Sequence, residues 1–217
     1  MTTLAIMKAR IATELRRDNI TAQIASAITT AISELEAERF YFNESREFTF
    51  PTVALQEFYD VDDSALIPRV LKRDYVNLYL GNSVYCLGEE TPERMEWLSQ
   101  NGISTGQPLC YCWYNDKFRV YPVPTEVYTI RIAGLIQVAA PASDAEASNP
   151  WMTKAEKLVR CYAKYELYEN VIFDTEKAQI FNPKNDAGPT GEAMRVLKAR
   201  TNNQKQQGGW IVRPVAF

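Results

Sequence analysis

The sequence predicts an α+β protein in which a helical bundle, built from both ends of the chain, carries an inserted β-rich domain. Near both ends, apolar residues recur at spacings of three and four, as in amphipathic helices. Between them, aromatic and β-branched residues alternate with polar ones and are interrupted by turn-forming pairs. We therefore expect a helical domain from residues 1–43 and 151–204, an antiparallel sheet or barrel-like domain from 44–140, and a C-terminal tail at 205–217.

Two amphipathic helices are expected at the start of the chain. The first covers residues 4–16, and Thr21 is a candidate N-cap for the second. The apolar positions of the two helices form two stripes, which are Leu4, Met7, Ile11 and Leu15 in the first and Ile24, Ile28, Ile32 and Leu35 in the second.

Three β-rich segments follow one another between residues 109 and 132. The first two flank a tight turn at Asn115-Asp116, because Asn and Asp tolerate positive φ. In the third, Tyr128, Ile130 and Ile132 lie on one face, since successive side chains of a strand point to opposite sides. The pattern predicts a three-stranded antiparallel meander with that face buried.

The C-terminal part returns to helical spacing and ends in a contrast of composition. One helix is expected from Leu158 to Ile172 and a polar one from Gly191 to Asn203. The segment Asn202–Gly209 is rich in amide side chains and predicts a flexible tether. Beyond it lie the candidate docking residues, which are Trp210, Ile211, Val212, Val215 and Phe217. They are expected either to dock on a partner, for example by adding a strand to a sheet edge, or to fold back onto their own sheet.

Composition excludes several classes of function. The chain has no histidine, so the commonest general base and the usual zinc ligand are absent. A net charge of −3 argues against a broad nucleic-acid surface. No phosphate-binding loop, nucleophile elbow or metalloprotease motif occurs, and we expect no enzyme, no cofactor and no metal. The cysteines, which are Cys86, Cys110, Cys112 and Cys161, are expected to be small buried hydrophobic residues. No apolar run approaches the roughly 20 residues of a membrane span, and no secretory signal is expected.

Several short motifs occur in an order that is typical of one family. They are the helix pair before a strand near Phe48, the Gly106–Tyr111 stretch of the form G-x-P-x-x-Y, the strand and P-x-P turn of Phe118–Pro124, the strand Tyr128–Ile132, and Asn149-Pro150-Trp151 ahead of a tyrosine-rich helix. In this order the chain resembles the head-to-tail adaptor (connector) proteins of tailed bacteriophages, in particular the tail tubular protein A type. The likeness covers most of the chain.

The resemblance implies a structural virion protein at the portal vertex, assembled in the host cytoplasm. Such adaptors form a ring, typically a dodecamer, that contacts the portal protein and the tail nozzle protein. Genomic DNA passes through the central channel without specific binding. Two alternatives stay open, namely a tail-completion or terminator protein and a β-barrel nucleic-acid-binding module. The module would use Tyr111, Trp113 and Tyr121 as a stacking platform, although only Lys117 and Arg119 supply positive charge nearby.

Overall fold

The structure is a computed structural model that describes residues 2–100, 102 and 104–206, with the backbone alone at 205 and 206. The chain divides into two compact units. One unit joins the N-terminal residues up to Phe42 to the residues from Val138 onward, and the other consists of Asn43–Gln137. The first is helical and the second is mostly β-sheet, so the predicted α+β class is confirmed.

The helical unit places its apolar stripes in a common core. Its helices are α1 (Leu4–Leu15), α2 (Thr21–Glu36), α4 (Pro150–Thr153), α5 (Glu156–Leu167), α6 (Thr175–Phe181) and α7 (Pro189–Gln206), with a π-helical turn at Tyr168–Ile172 after α5. Met7 and Ile11 of α1 are buried, and so are all four predicted stripe residues of α2. Glu14 of α1 forms ion pairs with Arg160 and Lys164 of α5, which ties the two ends of the chain together.

An aromatic cluster anchors the same unit. The ring of Trp151 lies edge-on to Phe40 and Phe42, with centroid distances of 6.1 and 5.2 Å. Its indole N–H donates to the Val138 carbonyl at 2.7 Å, so the polar atom of this fully buried side chain is satisfied. The Asn149 side chain caps the helix that begins with Pro150, because its oxygen accepts from the Trp151 N–H at 3.0 Å.

The predicted tether is partly wrong. Helix α7 continues through Asn202 to Gln206. Extending an existing helix needs no new nucleus, and Gln and Lys are good helix formers, so the polar composition of this stretch does not prevent helical order. Residues 207–217, including the predicted docking segment, lie outside the described residues.

The β unit contains two four-stranded sheets and one short two-stranded sheet within its described residues. The strands are β1 (Glu44–Pro51), β2 (Phe58–Tyr59), β3 (Val70–Leu80), β4 (Ser83–Cys86), β5 (Gly88–Glu89), β6 (Thr105–Gly106), β7 (Cys110–Tyr114), β8 (Lys117–Tyr121), β9 (Val123–Pro124) and β10 (Thr129–Ile136), with a 3₁₀ turn at Ile67–Arg69 and a helix α3 at Pro92–Ser99. The sheet orders are β1-β10-β3-β4, β2-β8-β7-β5 and β6-β9.

The predicted meander is wrong in topology and right in its buried face. Strands β7 and β8 form the expected hairpin, with Asn115 and Asp116 at positive φ. Strand β10, however, pairs with β1 and β3 in the other sheet. Pro122 and Pro124 lack the N–H that a continued β8 ladder would need, so β8 ends at Tyr121 and the next strand, β9, pairs with β6 instead. Tyr128, Ile130 and Ile132 are buried as predicted.

The predicted antiparallel sheet is confirmed, because every pairing in the sheet β1-β10-β3-β4 is antiparallel, whereas the barrel-like alternative is wrong. In the described part of the β unit each four-stranded sheet has two edge strands, so no barrel closes. Two of the pairings, β5 with β7 and β6 with β9, are parallel. At Gly134 of β10 the register shifts and a Cβ would lie 1.9 Å from the Lys72 carbonyl oxygen, so this close approach of β10 to β3 requires glycine.

Candidate assembly surfaces

The titratable groups with the largest pKa shifts are core residues. Burial, with Glu89 nearby, raises the pKa of Tyr111 to about 12. Burial likewise raises the pKa of the Cys112 thiol to about 11. A thiol held protonated in this way is a poor nucleophile. Among residues 2–100, 102 and 104–206, no group of three or more metal-ligating side chains is arranged to hold a metal ion.

The cysteine prediction holds for two positions and fails for one. Cys112 and Cys161 are buried, Cys110 is half-buried and Cys86 is exposed. Cys86 ends the edge strand β4, every residue of which is exposed, so the apolar character of the segment Val84–Leu87 did not predict its place. All four cysteines are free thiols.

The predicted aromatic platform is not formed. Tyr111 is buried in the core of the β unit, where its ring stacks on Phe118 at 5.2 Å. Trp113 packs edge-on against Phe118, and the guanidinium of Arg73 lies over its ring at 5.2 Å. The Tyr121 hydroxyl donates to the Leu98 carbonyl. A base therefore has no row of open aromatic faces on which to stack, and the nucleic-acid-binding module loses its main support.

Two adjacent loops present apolar side chains to solvent. We call residues 52–57 and 124–128 the apolar loop pair, because Val53, Leu55 and Val127 are all exposed there. Leu55 is 74% exposed and has φ of +65°, a conformation that is uncommon for a residue other than glycine. Its N–H donates to the Pro124 carbonyl at 2.8 Å, which joins the two loops.

Buried polar groups hold this loop pair in shape. The Tyr59 hydroxyl, in a fully buried side chain, donates to the Gln56 carbonyl at 2.9 Å and accepts from the Val53 N–H at 3.2 Å. The Thr52 N–H donates to the Tyr128 carbonyl at 2.7 Å, and the Thr52 hydroxyl accepts from the Tyr128 N–H at 2.8 Å. Because these bonds fix the backbone, the exposed side chains are pre-organised for contact with a partner.

A second apolar projection lies in the helical unit. Phe173 follows the π-helical turn, has φ of +58° and is 78% exposed. The backbone around it is held, because the Asp174 N–H donates to the Tyr168 carbonyl at 3.0 Å and the Asp174 side chain accepts from the Lys177 N–H at 3.1 Å. Tyr168 also stacks on Phe181 of α6. A large aromatic side chain exposed at a fixed corner is typical of a contact surface.

The β3–β4 hairpin forms a third exposed apolar element. Strand β4 pairs with β3 along one side and is an edge of its sheet. Leu80, Val84 and Tyr85 are all exposed. The other edge strand, β1, carries a register shift between Ser45 and Phe48 and ends at Pro51, two features that protect an edge from pairing. The β4 edge of this sheet is therefore more open to pairing with a further strand than the β1 edge.

A family comparison decides the identity of the chain. The model of the SU10 adaptor protein family matches residues 2–207. The chain belongs to the SU10 adaptor protein family. The match spans both units, so the helical ends and the β-rich insertion are parts of one family architecture. Comparison with curated proteins finds no match.

Membership of this adaptor family makes the chain a phage adaptor, a structural component of the virion. This agrees with the predicted phage adaptor at the level of the family. In the described part of this adaptor, every helix is too short or too polar to cross a bilayer.

Sequence reasoning missed the surfaces that the structure of this adaptor presents. The alternation of Val53 and Leu55 is typical of a strand, whereas the chain turns there and Leu55 takes a left-handed conformation. The sequence does not distinguish Phe173 from a core residue, because a phenylalanine near the end of an amphipathic helix ordinarily faces the core. The only available signal was Pro51, which indicates where β1 ends but not the path of the chain beyond it.

Proposed function

We propose that this adaptor is a head-to-tail connector that forms a closed ring between the portal and the tail and leaves a channel for DNA. The observation that carries the proposal is the family match over residues 2–207. A protein with this task must offer separate surfaces to its neighbours in the ring, to the portal protein above and to the tail nozzle below. A ring requires a heterologous interface, in which two different patches of the same chain meet.

The exposed apolar elements fit this requirement. The apolar loop pair, the Phe173 corner and the β3–β4 hairpin are separate in sequence, and the first two each hold a residue other than glycine at positive φ, namely Leu55 and Phe173. Exposed aromatic and aliphatic side chains of this kind are enriched where protein surfaces meet. The number of copies in the ring is proposed from the resemblance alone, as a dodecamer.

The C-terminal segment is proposed to dock on a partner, either a neighbouring copy or the portal. Its composition supports this, because Trp210, Ile211, Val212, Val215 and Phe217 would expose a large apolar area to water. Pro214 would end any strand pairing after Arg213. Deleting residues 209–217 should abolish incorporation into particles and leave the unfolding temperature of the isolated protein unchanged. Loss of thermal stability with normal incorporation would assign the segment to its own fold.

The acidic balance of the chain suits a channel through which DNA must slide. With a net charge of −3 and no histidine, the adaptor lacks the excess of cations that holds phosphates tightly. We therefore propose that genomic DNA passes without specific binding.

The direct genetic test is a phage in which the gene for this chain is disrupted and the protein is supplied in trans. Without it, the proposed connector predicts DNA-filled or leaking heads that lack tails, and separate tails. With the wild-type protein, complete particles should return. The alternative terminator function predicts complete heads joined to tails of abnormal length or with unfinished ends, and that result would overturn the connector proposal.

A further inference from the structure

A groove between helices α5 and α7 combines an apolar floor with positive charge. It has a volume of about 230 Å³, and the apolar side chains that line it are Ala155, Leu158, Ala193, Val196 and Leu197. Val196 is 47% exposed, so part of this floor is open to solvent. Both walls belong to the helical unit, and both are long enough helices to keep the groove in shape.

Three cations surround the groove. They are Lys154, Lys157 and Arg200, and no carboxylate is among the lining residues. Lys157 pairs with Glu192 at 3.2 Å, and Lys154 lies over the ring of Tyr41 at 5.5 Å. Arg200 forms no ion pair or hydrogen bond with any other residue in the part of the chain that the structure describes. In a chain with a net charge of −3, this groove suits an occupant that is apolar and acidic.

The chain itself contains such an occupant. We call residues 60–63 the acidic loop. In it Val61, which is 56% exposed, has Asp60 before it and Asp62 and Asp63 after it. Asp60 pairs with Lys117 at 3.0 Å and accepts from the Asp62 N–H at 3.0 Å. Asp63 accepts from the Asp60 N–H at 2.9 Å. The loop is therefore fixed by its own carboxylates before any partner arrives.

Of the three carboxylates in the acidic loop, the one of Asp62 takes no part in the bonds that fix the loop. Its side chain is exposed and forms no hydrogen bond or ion pair within residues 2–100, 102 and 104–206. Asp62 and Val61 thus offer a free negative charge next to an exposed aliphatic side chain. The groove offers the converse, a free guanidinium next to an aliphatic floor that is open to solvent at Val196.

We propose that the acidic loop of one copy docks into the α5–α7 groove of a second copy, with Val61 on the apolar floor and Asp62 against Arg200. The two surfaces are different, so the contact is heterologous and can repeat around a ring. Opposite charges select this register and disfavour loop-to-loop or groove-to-groove contacts, which would bring like charges together. The inference rests on the proposed connector ring and assigns a subunit interface within it.

Charge reversal tests the pair. Asp62→Arg, Arg200→Asp and the double variant are supplied in trans to a phage whose own gene is disrupted, and copies of the chain per particle are measured by quantitative mass spectrometry. Each single variant should lower incorporation at least about tenfold, because like charges face each other in every interface of the ring. The double variant should recover most of the wild-type level.

Two charge reversals elsewhere on the chain serve as matched controls. Glu47→Arg on β1 and Arg195→Asp on α7 reverse exposed charges outside the two surfaces and should leave incorporation unchanged. Normal incorporation of both Asp62→Arg and Arg200→Asp would overturn the inference. Loss with Arg200→Asp but not with Asp62→Arg would overturn the occupant and assign the groove to an acidic segment of another protein. Absence of the wild-type chain from particles would instead overturn the connector function on which the inference rests.

Discussion

Replacing Arg119 tests how the β unit is held together. Arg119 lies on β8 with only 4% of its side chain exposed, and its guanidinium donates to Glu57 and Glu96, each at 2.5 Å. It also donates to the Ser99 hydroxyl and lies over the ring of Phe58. Burial, the largest single influence, lowers the pKa of Arg119, but the hydrogen bonds and charges of the two glutamates outweigh it and raise that pKa. One side chain thus joins β8, β2 and α3.

The exposure of the two carboxylates predicts how much free energy of unfolding is lost when Arg119 or Glu96 is replaced. Glu57 is 18% exposed and Glu96 is 69% exposed. Removing one partner of a buried pair costs about 3–5 kcal/mol, and partial access of water to Glu57 puts Arg119→Met near about 3 kcal/mol. Glu96→Gln should cost less than about 1 kcal/mol, because the Glu96 carboxylate is itself mostly exposed to water and Arg119 keeps its bond to Glu57.

Equilibrium unfolding in urea, followed by circular dichroism, measures both free energies of unfolding. Arg119→Lys is the matched control, since it keeps the charge but not the forked geometry, and it should fall between the other two. A cost of less than about 1 kcal/mol for Arg119→Met, or equal costs for Arg119→Met and Glu96→Gln, would refute the reasoning.

Three further predictions concern individual side chains. Ile130→Asp should prevent folding of the β unit, because Ile130 is fully buried and the new charge would have no partner. The control Thr129→Asp, on the exposed face of the same strand, should fold. Resistance to protease digestion distinguishes the two variants, and a folded Ile130→Asp variant would contradict the face assignment. Leu55→Gly should change the free energy of unfolding by less than about 1 kcal/mol, since glycine accepts the positive φ. The same variant should reduce incorporation into particles, because it removes the exposed apolar side chain. Unchanged incorporation would show that the apolar loop pair is not an assembly surface. The pKa of the Tyr111 phenol is raised to about 12, so its contribution to stability is complete below pH 10 and is lost as the pH rises from 10 to 12. Tyr111→Phe should therefore abolish this part of the alkaline destabilisation. The same dependence of unfolding free energy on pH in Tyr111→Phe and the wild type would contradict the prediction.

Periodicity was enough to predict the helical elements and the α+β class. The stripes of α1 and α2 recur every three or four residues because each helix has one buried face, and that constraint is written locally in the sequence. The buried face of β10 was predictable for the same reason, since alternation depends only on which side of the sheet is covered.

Strand partners and surface loops were not predictable in the same way. Whether β10 pairs with β8 or with β1 and β3 depends on contacts between residues far apart in the sequence, and alternation is identical in both cases. The left-handed conformation of Leu55 depends on its hydrogen bond to Pro124 and on the packing around it, so a leucine at this position does not predict positive φ. The candidate surfaces therefore came from the structure, while the C-terminal docking segment rests on composition alone.

Cryo-electron microscopy of the particle neck tests the central claim most directly. With the chain labelled by a small epitope insertion in the exposed Asp144-Ala145 turn, outside the surfaces proposed for assembly, we predict a closed ring of copies between the portal and the tail, with an open channel on its axis. Label at the distal end of the tail, or particles with a complete neck and no label, would contradict the assignment of this adaptor as the connector.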